Sequence, residues 1–425
     1  MPVKGIVELA ASTVRFGEGA VRDVGMDAAA RGLRRVLIFA DPNLTERYPV
    51  QAVRESLERE GVAYDVFDRI VCEPTDASFQ EAIAAARARP YDGFVAAGGG
   101  STIDTAKAAN LYAIHPAEFR RYVAQPHGEG APPPGPLRPL IAIPTTTGTG
   151  SETTSVAVFD FSELGTKAVI GHRYLKPVLA LLDPLVTGSL PEPVIASTGL
   201  DVVSHAIESL TAVPFTEREL PDRPEDRPAY QGSNPVADVW ALEALRLCRK
   251  YLLRAAADAE DLEARGKMLL AASFAGLGFG SAGVHLPHAM SYPVSSRAKS
   301  WRAPGYPVDH PLLPHGFSVV LNTPAVVRFL SPACPRKLRA AAEALGTDSR
   351  RIREGEEGEV LAERVIEFME ALGAPGGLRA VGYHLKDIPA LVAGTLPQKR
   401  ILALCPRPVD EESLGRLFEE SMVVY

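Results

Sequence analysis

Cysteine is scarce in this sequence of 425 residues, which has only Cys72, Cys248, Cys334 and Cys405. None of the four belongs to a Cys-x-x-Cys pair, so the pattern excludes a small disulfide scaffold. Scattered, unpaired cysteines are typical of proteins that work in a reducing compartment. The first residues also lack the apolar core of a signal peptide. From these two absences we expect a cytoplasmic protein.

Long apolar runs and an excess of basic residues are missing as well. No stretch approaches the roughly 20 consecutive apolar residues that a membrane-spanning helix needs, so we expect no membrane partner. The net charge is −7 and the isoelectric point about 5.8. This balance argues against nucleic acid as a partner, because phosphates attract a basic face. A locally cationic pocket for small anionic substrates is still compatible with it.

The residues that are present have an ordinary globular composition, with 46% hydrophobic and 23% charged. Because one core usually divides beyond about 250–300 residues, the length predicts two domains. In the first half, short apolar runs at 35–40, 62–67, 93–97 and 139–144 alternate with helix-length segments such as 79–89. The alternation predicts βαβ units around a parallel sheet, and the continuous apolar runs predict strands that are covered on both faces.

The second half has a different pattern. Apolar residues recur at helical spacing in 236–253, 261–274, 337–345 and 359–372, and strand-like alternation is not evident. We therefore predict an α/β domain over residues 1–190 and an all-α domain over 191–425. Two proline-rich segments, 126–139 and 214–235, are expected to be loops.

A glycine-rich turn follows the third of these predicted strands. It contains Gly98, Gly99, Gly100 and Ser101, with Asp104 three residues later. Ser101 and Asp104 fit a capping box, and the free N–H groups of a helix N-terminus attract a pyrophosphate. Glycine lets the backbone approach such a ligand closely. The motif is not G-x-G-x-x-G, and a plain strand–helix turn explains it equally well from local sequence alone.

A threonine-rich segment and a single aspartate also follow predicted strands. The first contains Thr145, Thr146 and Thr149, whose hydroxyls are able to contact phosphate, ribose or a carboxamide; an ordinary polar loop is the alternative. The second is Asp41, whose carboxylate would accept a bond from a ribose hydroxyl and repel a 2′-phosphate, which favours NAD over NADP. Its alternative role is that of a turn residue before Pro42. Since ligands of open α/β sheets bind beyond the carboxyl ends of strands, the combination predicts a cofactor site, to which we also assign Lys167.

Five of the nine histidines fall between residues 205 and 315. Asp201 and His205 are four residues apart, which places them on one face of a helix. A carboxylate with several imidazoles suits Fe(II), Zn(II) or a similar divalent ion, and His288 and His315 would complete a set of four ligands. Considered alone, an Asp/His pair at this spacing is more often a surface or capped pair than a metal site.

Taken together and in this order, these motifs resemble the group III, iron-dependent alcohol dehydrogenases. The similarity is greatest to one branch, the hydroxyacid–oxoacid transhydrogenases, and runs from about residue 10 to the end of the chain. The stretches that carry this closer resemblance are 227–235, 275–285, 290–293, 309–311, 394–398 and the segment that begins at Leu417.

The resemblance implies a Rossmann-like N-terminal domain and a helical C-terminal domain, with the active site in the cleft. It implies NAD as cofactor and iron or zinc bound by Asp201, His205, His288 and His315. His285 is not expected to be a ligand, because the family's ligand comes directly before the x-Met-x-x-Pro element, and that residue is His288 here. His288 and Tyr292 are the expected catalytic residues. Tyr292 occupies a position where many family members have a histidine assigned to proton transfer, and the transhydrogenase branch also has tyrosine there.

The segment between His288 and His315 is longer than in many simple alcohol dehydrogenases and contains Arg297, Lys299 and Arg302. A cation there would bind the distant carboxylate of a hydroxyacid or oxoacid substrate. A solvated loop is the alternative, in which case Arg173 and Arg227 are the next candidates.

By resemblance, the reaction converts 4-hydroxybutyrate and 2-oxoglutarate to succinate semialdehyde and 2-hydroxyglutarate, with a hydride carried by bound NAD. An NAD-dependent alcohol or hydroxyacid dehydrogenase that releases its cofactor would use the same residues. A non-catalytic protein that binds a nucleotide and a metal is the alternative of another class. The sequence is compatible with assembly into a homo-oligomer.

Overall fold

The computed structural model describes residues 5–306, 308 and 310–425, and residue 225 by its backbone only. Asp309, in one of the resembling stretches, lies outside the described residues. The chain divides into two compact units. One is Ala10–Leu190, and the other is Pro191–Tyr425 together with the described residues that precede Ala10.

The first unit is built on a six-stranded parallel sheet with the order β1-β8-β5-β4-β2-β3. A separate antiparallel hairpin is formed by β6 and β7, which the sequence did not predict. The strands are β1 Thr13–Phe16, β2 Arg35–Ala40, β3 Ala63–Phe67, β4 Gly93–Gly98, β5 Leu140–Pro144, β6 Val156–Phe161, β7 Thr166–Gly171 and β8 Leu179–Leu182. All four predicted strands are confirmed.

Helices cover both faces of the parallel sheet, as its continuous apolar strands require. The helices are α1 Val24–Ala30, α2 Tyr48–Arg59, α3 Asp76–Arg87 and α4 Gly100–Ile114. Along β2, Val36 and Ile38 belong to a core shared with α1 and α2. The alternate residues Leu37 and Phe39 belong to a second core shared with α3 and α4. The predicted α/β class is confirmed.

The second unit is helical, and none of its described residues lies in a β-strand. Its helices are α5 Glu192–Thr211, α6 Pro235–Ala257, α7 Leu262–Ala282, α8 Leu286–Ser296, α9 His315–Val320, α10 Thr323–Leu330, α11 Pro335–Ala344, α12 Glu357–Ala371, α13 Ile388–Thr395, α14 Lys399–Leu402 and α15 Glu411–Glu420. The four predicted helices correspond to α6, α7, α11 and α12. The predicted loop at 214–235 contains two short 3-10 helices, Phe215–Glu217 and Pro224–Asp226.

No single described helix is long and apolar enough to cross a bilayer, although α7 and α8, bent by 108° at their junction, meet that test as a pair on length and composition.

Hydrogen bonds explain why the residues before Ala10 group with the helical unit. The Glu8 N–H donates to Gln231 Oε1 at 2.9 Å, and Gln231 Nε2 donates to the Glu8 carbonyl at 2.8 Å. Arg227 also pairs with Glu8 at 3.4 Å, so this earlier candidate for substrate binding already has a carboxylate partner.

Candidate active site

Three polar segments meet at the carboxyl edge of the parallel sheet. In the register, Ala40 of β2 faces Ala97 of β4, and Gly98 faces Pro144 of β5. Three segments follow directly from these neighbouring strand ends: Asp41, the glycine-rich turn, and the segment with Thr145, Thr146 and Thr149, called the threonine loop below. The three polar segments therefore lie at neighbouring strand ends.

The glycine-rich turn packs so tightly on the threonine loop that side chains there would clash. A Cβ added to Gly99 would lie 2.9 Å from Thr146 Cγ2, and one added to Gly100 would lie 2.6 Å from Thr149 Cγ2. Helix α4 begins at Gly100, and its N-cap, Gly99, provides no side-chain hydrogen bond. The turn thus presents backbone rather than side chains to a ligand at the N-terminus of α4.

The capping box predicted from Ser101 and Asp104 is wrong, because α4 begins two residues earlier than the box requires. Ser101 Oγ instead accepts a bond from the Glu73 N–H at 3.1 Å. Asp104 Oδ1 accepts from Lys107 and Ser151, and Oδ2 accepts from the Val158 N–H at 2.9 Å. Both carboxylate oxygens of Asp104 therefore accept bonds from the protein, and the expected contact with the cofactor stays a prediction.

Lys107 connects α4 to the segment that follows the threonine loop. Its fully buried Nζ donates to Ser151 Oγ at 2.7 Å, to Thr154 Oγ1 at 3.2 Å and to the Val156 carbonyl at 2.7 Å. Burial lowers the pKa of Lys107, and the nearby Asp104 carboxylate opposes that shift. The network ties the segment after the threonine loop to α4, the helix whose N-terminus faces the same edge.

Lys167 is held by carboxylates in the β6–β7 hairpin. Its Nζ contacts Glu73 Oε2 at 2.8 Å and both Asp160 oxygens at 3.2 Å, with 4% of the side chain exposed. Burial lowers the pKa of Lys167, but the two carboxylates outweigh burial and the net shift is upward. These contacts neutralise the buried ammonium, and the expected contact of Lys167 with the cofactor stays a prediction. Through Glu73, Lys167 supports the backbone that binds Ser101.

Asp41 performs the turn role that the sequence left open. Its Oδ1 accepts from Asn43 N–H at 2.8 Å and from Asn43 Nδ2 at 3.0 Å. Within the described part of the chain, no donor is found for Oδ2. The turn role therefore leaves one oxygen able to accept a bond from a ribose hydroxyl.

In the helical unit, α5 presents acidic and imidazole side chains on one buried face. Asp201, His205 and Glu208 are spaced by four and three residues, and all three are nearly or fully buried. Opposite them, α9 approaches closely because Gly316 has no side chain: a Cβ there would lie 2.0 Å from the Ser197 carbonyl oxygen. That approach brings His315, the first residue of α9, to the same cluster.

The ligand atoms of Asp201, His288 and His315 all lie within 4.8 Å of one another. His205 is outside that group of three, but its Nε2 lies 3.1 Å from His288 Nε2. The rings of His205 and His288 are stacked with centroids 4.7 Å apart. The structure thus brings the four predicted ligands together.

Glu208 was not predicted from the sequence. Its Oε2 accepts from His288 Nδ1, and its Oε1 accepts from the backbone N–H groups of His285 at 2.8 Å and His288 at 3.2 Å. Burial raises the pKa of Glu208, but the two histidines outweigh burial and the net shift is downward. The sequence does contain a signal: Glu208 continues the helical face of Asp201 and His205.

The side chains around His205 fit a metal ion better than they fit each other. If the proton of His205 is on Nδ1, that nitrogen has no acceptor, since Asp201 Oδ2 is 3.8 Å away. In that case the Nε2 lone pairs of His205 and His288 also face each other across 3.1 Å. If the proton is on Nε2, a buried Nδ1 lone pair has no donor. Burial, reinforced by His288 and His315, lowers the pKa of His205 well below its ordinary value and so favours the neutral ring. A cation between the Nε2 atoms would remove the conflict.

His285 has both ring nitrogens occupied by the protein. Nδ1 accepts from the Leu286 N–H at 2.7 Å, and Nε2 donates to Thr211 Oγ1 at 2.9 Å. Burial lowers its pKa to about 4 even though Glu208 opposes the shift. His285 is therefore a neutral residue of the core, with no nitrogen left for a metal.

Tyr292 lies one helical turn beyond His288 on α8 and is 3% exposed. Burial next to a ligand-bearing position is consistent with the predicted role near the reacting hydroxyl.

The three cationic candidates beyond α8 are all exposed. Lys299 pairs with Asp387 at 3.2 Å and lies over the Tyr383 ring, so its charge is already partnered. Within the described residues, Arg297 and Arg302 form no ion pair. In that part of the chain no contact joins any of the three to the histidine cluster.

The fold is similar to solved structures over almost its entire length. A 1,3-propanediol oxidoreductase matches with a TM-score of 0.84 and 25% identity, covering 98% of this chain and 100% of the other. Sulfoacetaldehyde reductase from Bifidobacterium kashiwanohense, solved in complex with NAD+, matches with a TM-score of 0.78 at 24% identity, covering 98% of this chain and 99% of the other.

Curated relatives are far more similar in sequence. Mitochondrial hydroxyacid-oxoacid transhydrogenases from Bos taurus and Homo sapiens are 52% and 50% identical over 420 residues, covering 98% of this chain and 90% of theirs. The counterpart from Caenorhabditis briggsae is 42% identical over 421 residues. The mitochondrial names of these relatives contradict the cytoplasmic location that we expected. Free cysteines cannot make that distinction, because they indicate a reducing compartment without saying which one.

Two family models cover most of the chain. The model for iron-containing alcohol dehydrogenase matches residues 11–184, and the model for the C-terminal part of that family matches residues 229–422. The first match contains the strand-end loops, and the second contains His288 and His315. The chain is an enzyme of the iron-containing alcohol dehydrogenase family, on the branch of its transhydrogenase relatives.

Proposed function

We propose that this enzyme transfers a hydride from a hydroxyacid to an oxoacid, with NAD as the carrier. The proposed pair is 4-hydroxybutyrate and 2-oxoglutarate, giving succinate semialdehyde and 2-hydroxyglutarate. The reaction class is supported by sequence identities of 52% and 50% to hydroxyacid-oxoacid transhydrogenases over 420 residues. The choice of substrates and of NAD is the finer part of the proposal.

The observation that carries the proposal is the buried cluster of one carboxylate and three imidazoles. Asp201, His205, His288 and His315 would hold a divalent metal, either iron or zinc, because the donor set is of the mixed nitrogen and oxygen type that both metals accept. A metal bound there supplies Lewis-acid chemistry, since it lowers the pKa of a hydroxyl that it binds.

The strand-end loops would hold the cofactor. Backbone N–H groups of Gly99, Gly100 and Ser101 at the start of α4 suit a pyrophosphate. The hydroxyls of the threonine loop, from Thr145, Thr146 and Thr149, suit ribose or carboxamide groups. The free oxygen of Asp41 suits an unmodified ribose, which supports NAD over NADP.

The reacting hydroxyl and the substrate carboxylate each need a partner from the protein as well. Tyr292, buried on the helix of His288, is the proposed partner of the reacting hydroxyl. Both proposed substrates have a carboxylate distant from the reacting carbon, so a cation has to face it. Arg297 and Arg302 are better candidates than Lys299, whose charge is already paired.

The test is to incubate the metal-loaded enzyme with 4-hydroxybutyrate and 2-oxoglutarate, without added NAD, and to follow both products. We expect succinate semialdehyde and 2-hydroxyglutarate in equal amounts, because each oxidation supplies the hydride for one reduction. A requirement for added NAD would instead indicate a dehydrogenase that releases its cofactor. The absence of turnover with either substrate, with and without NAD, would reject the proposed chemistry.

A further inference from the structure

We propose that Glu208 is a positioning residue that presets the His288 ring so that Nε2 is free to bind the metal; this rests on the metal site proposed above. Glu208 lies on α5 with Asp201 and His205, and its side chain is 0% exposed. Glu208 acts only through the histidine and is not proposed to contact substrate or cofactor.

The hydrogen bonds of Glu208 determine which nitrogen of His288 has the proton. An ionised carboxylate only accepts hydrogen bonds, so its contact with His288 Nδ1 requires a proton on that nitrogen. A neutral ring with Nδ1–H has its lone pair on Nε2. That Nε2 is the atom that lies 3.1 Å from His205 Nε2 and 3.8 Å from Asp201 Oδ1.

The same carboxylate also binds the start of α8. Its Oε1 accepts from the backbone N–H groups of His285 and His288, which an α-helix leaves without intrahelical partners. Glu208 therefore ties two ligand-bearing helices together: α5, with Asp201 and His205, and α8, with His288. The position and the tautomer of His288 both depend on this one side chain.

Glu208→Gln is nearly isosteric and separates these roles. The amide has one oxygen that accepts and one NH₂ group that only donates, so the NH₂ group meets either His288 Nδ1–H or the two backbone N–H groups. The conflict is relieved if the His288 proton moves to Nε2, because Nδ1 then accepts from the amide. A protonated Nε2 cannot bind a metal, so we expect metal affinity to fall roughly 10–100-fold.

The experiment uses metal-free full-length protein with ¹⁵N-labelled histidine. NMR of the ring nitrogens, recorded at a pH where the ring is neutral, reports the His288 tautomer, assigned by the loss of its signals in His288→Gln. Zn²⁺ affinity is measured by competition with a chromophoric chelator. Glu208→Asp keeps the carboxylate and should lose less affinity than Glu208→Gln. Glu357→Gln is the matched control, since Glu357 is also buried and accepts a backbone N–H but contacts no histidine.

We expect Nδ1–H in the wild type, Nε2–H with weakened Zn²⁺ binding in Glu208→Gln, and wild-type behaviour in Glu357→Gln. Wild-type His288 protonated on Nε2 would overturn the proposal, as would a Glu208→Gln variant with wild-type Zn²⁺ affinity. If Glu208→Gln does not fold, the wild-type tautomer and Glu208→Asp decide. If the wild type binds no Zn²⁺ or Fe²⁺, the metal site fails, and the tautomer still decides the positioning role of Glu208.

Discussion

At the residue scale, the metal-binding capacity of each buried histidine depends on which of its ring nitrogens is already occupied. His285 has two protein partners, and His288 gives only Nδ1 to Glu208. His205 satisfies neither tautomer with the protein alone. Three histidines of similar burial are thus chemically different, and hydrogen bonding explains the difference.

This difference predicts unequal effects of truncation. His205→Ala should remove bound metal and activity while the chain remains folded, because the ring supplies a ligand and the site loses its Nε2. His285→Ala should leave most of the metal, since neither of its nitrogens is free. Metal content by elemental analysis, with circular dichroism as the folding check, measures both. Full metal content and activity in His205→Ala would remove it from the site.

Asp41 should make the enzyme prefer NAD over NADP. A carboxylate close to the 2′-phosphate of NADP costs about 1–3 kcal/mol at a partly buried site. Asp41→Ser removes the charge but keeps an acceptor for the Asn43 N–H, so it should reduce the preference without loss of the turn. Binding of both cofactors is measured by calorimetry, with exposed Glu60→Gln as the control. Equal or tighter binding of NADP by the wild type would show that Asp41 does not discriminate.

At the element scale, two loops have to pack without side chains between them. Gly100→Ala would place a Cβ 2.6 Å from Thr149 Cγ2 and push the α4 N-terminus from the threonine loop. We expect NAD affinity to fall at least about tenfold, because the N–H groups that face the pyrophosphate move. Gly415→Ala, on α15 with nothing within 4 Å, should leave affinity unchanged and raise stability by about 0.5–1 kcal/mol. Unchanged NAD affinity in a folded Gly100→Ala would contradict the proposed pyrophosphate site.

The segment between α8 and α9 should select for acidic substrates. Arg297→Ala or Arg302→Ala should lower kcat/KM for 4-hydroxybutyrate about 10–100-fold, because a charge-assisted bond to a carboxylate contributes roughly 1.5–3 kcal/mol. The effect on butanol should be small, since butanol has no carboxylate. Lys299→Ala should change less, as Lys299 already pairs with Asp387. If both arginine variants keep the preference for the hydroxyacid, the cation lies elsewhere and the segment is a solvated loop.

Elements were predictable where a local pattern determines them. The apolar run at 35–40 became β2 with the same bounds, and the polar residues after β2, β4 and β5 meet because parallel strands end at one edge. The β6–β7 hairpin was missed because it lies outside the alternation of strands and helices. The bonding partners of a side chain were harder to predict, because Asp104 binds Ser151 and Val158, which are 47 and 54 positions away in the sequence.

The same limit applies to the candidate site. Asp201, His205, His288 and His315 were found because the family's motifs have recognisable spacing. Glu208 was missed because its role depends on a contact with a residue 80 positions away, which no local pattern reveals. Lys167 was assigned to the cofactor without knowledge of the carboxylates that surround it.

At the scale of the whole molecule, the chain consists of two compact units. The residues proposed for the cofactor belong to Ala10–Leu190, and those proposed for the metal belong to the unit that contains Pro191–Tyr425. Neither unit contains both sets of residues. The central claim is that one hydride passes from the hydroxyacid to the oxoacid.

Isotope transfer tests that claim most directly. The enzyme is incubated with 4-hydroxybutyrate deuterated at C4 and with 2-oxoglutarate, in the presence of excess unlabelled NADH, and 2-hydroxyglutarate is analysed by mass spectrometry. The account predicts one deuterium at C2 of 2-hydroxyglutarate, undiluted by the unlabelled NADH, because the carrier stays bound between the two half-reactions. Formation of 2-hydroxyglutarate without deuterium would contradict it.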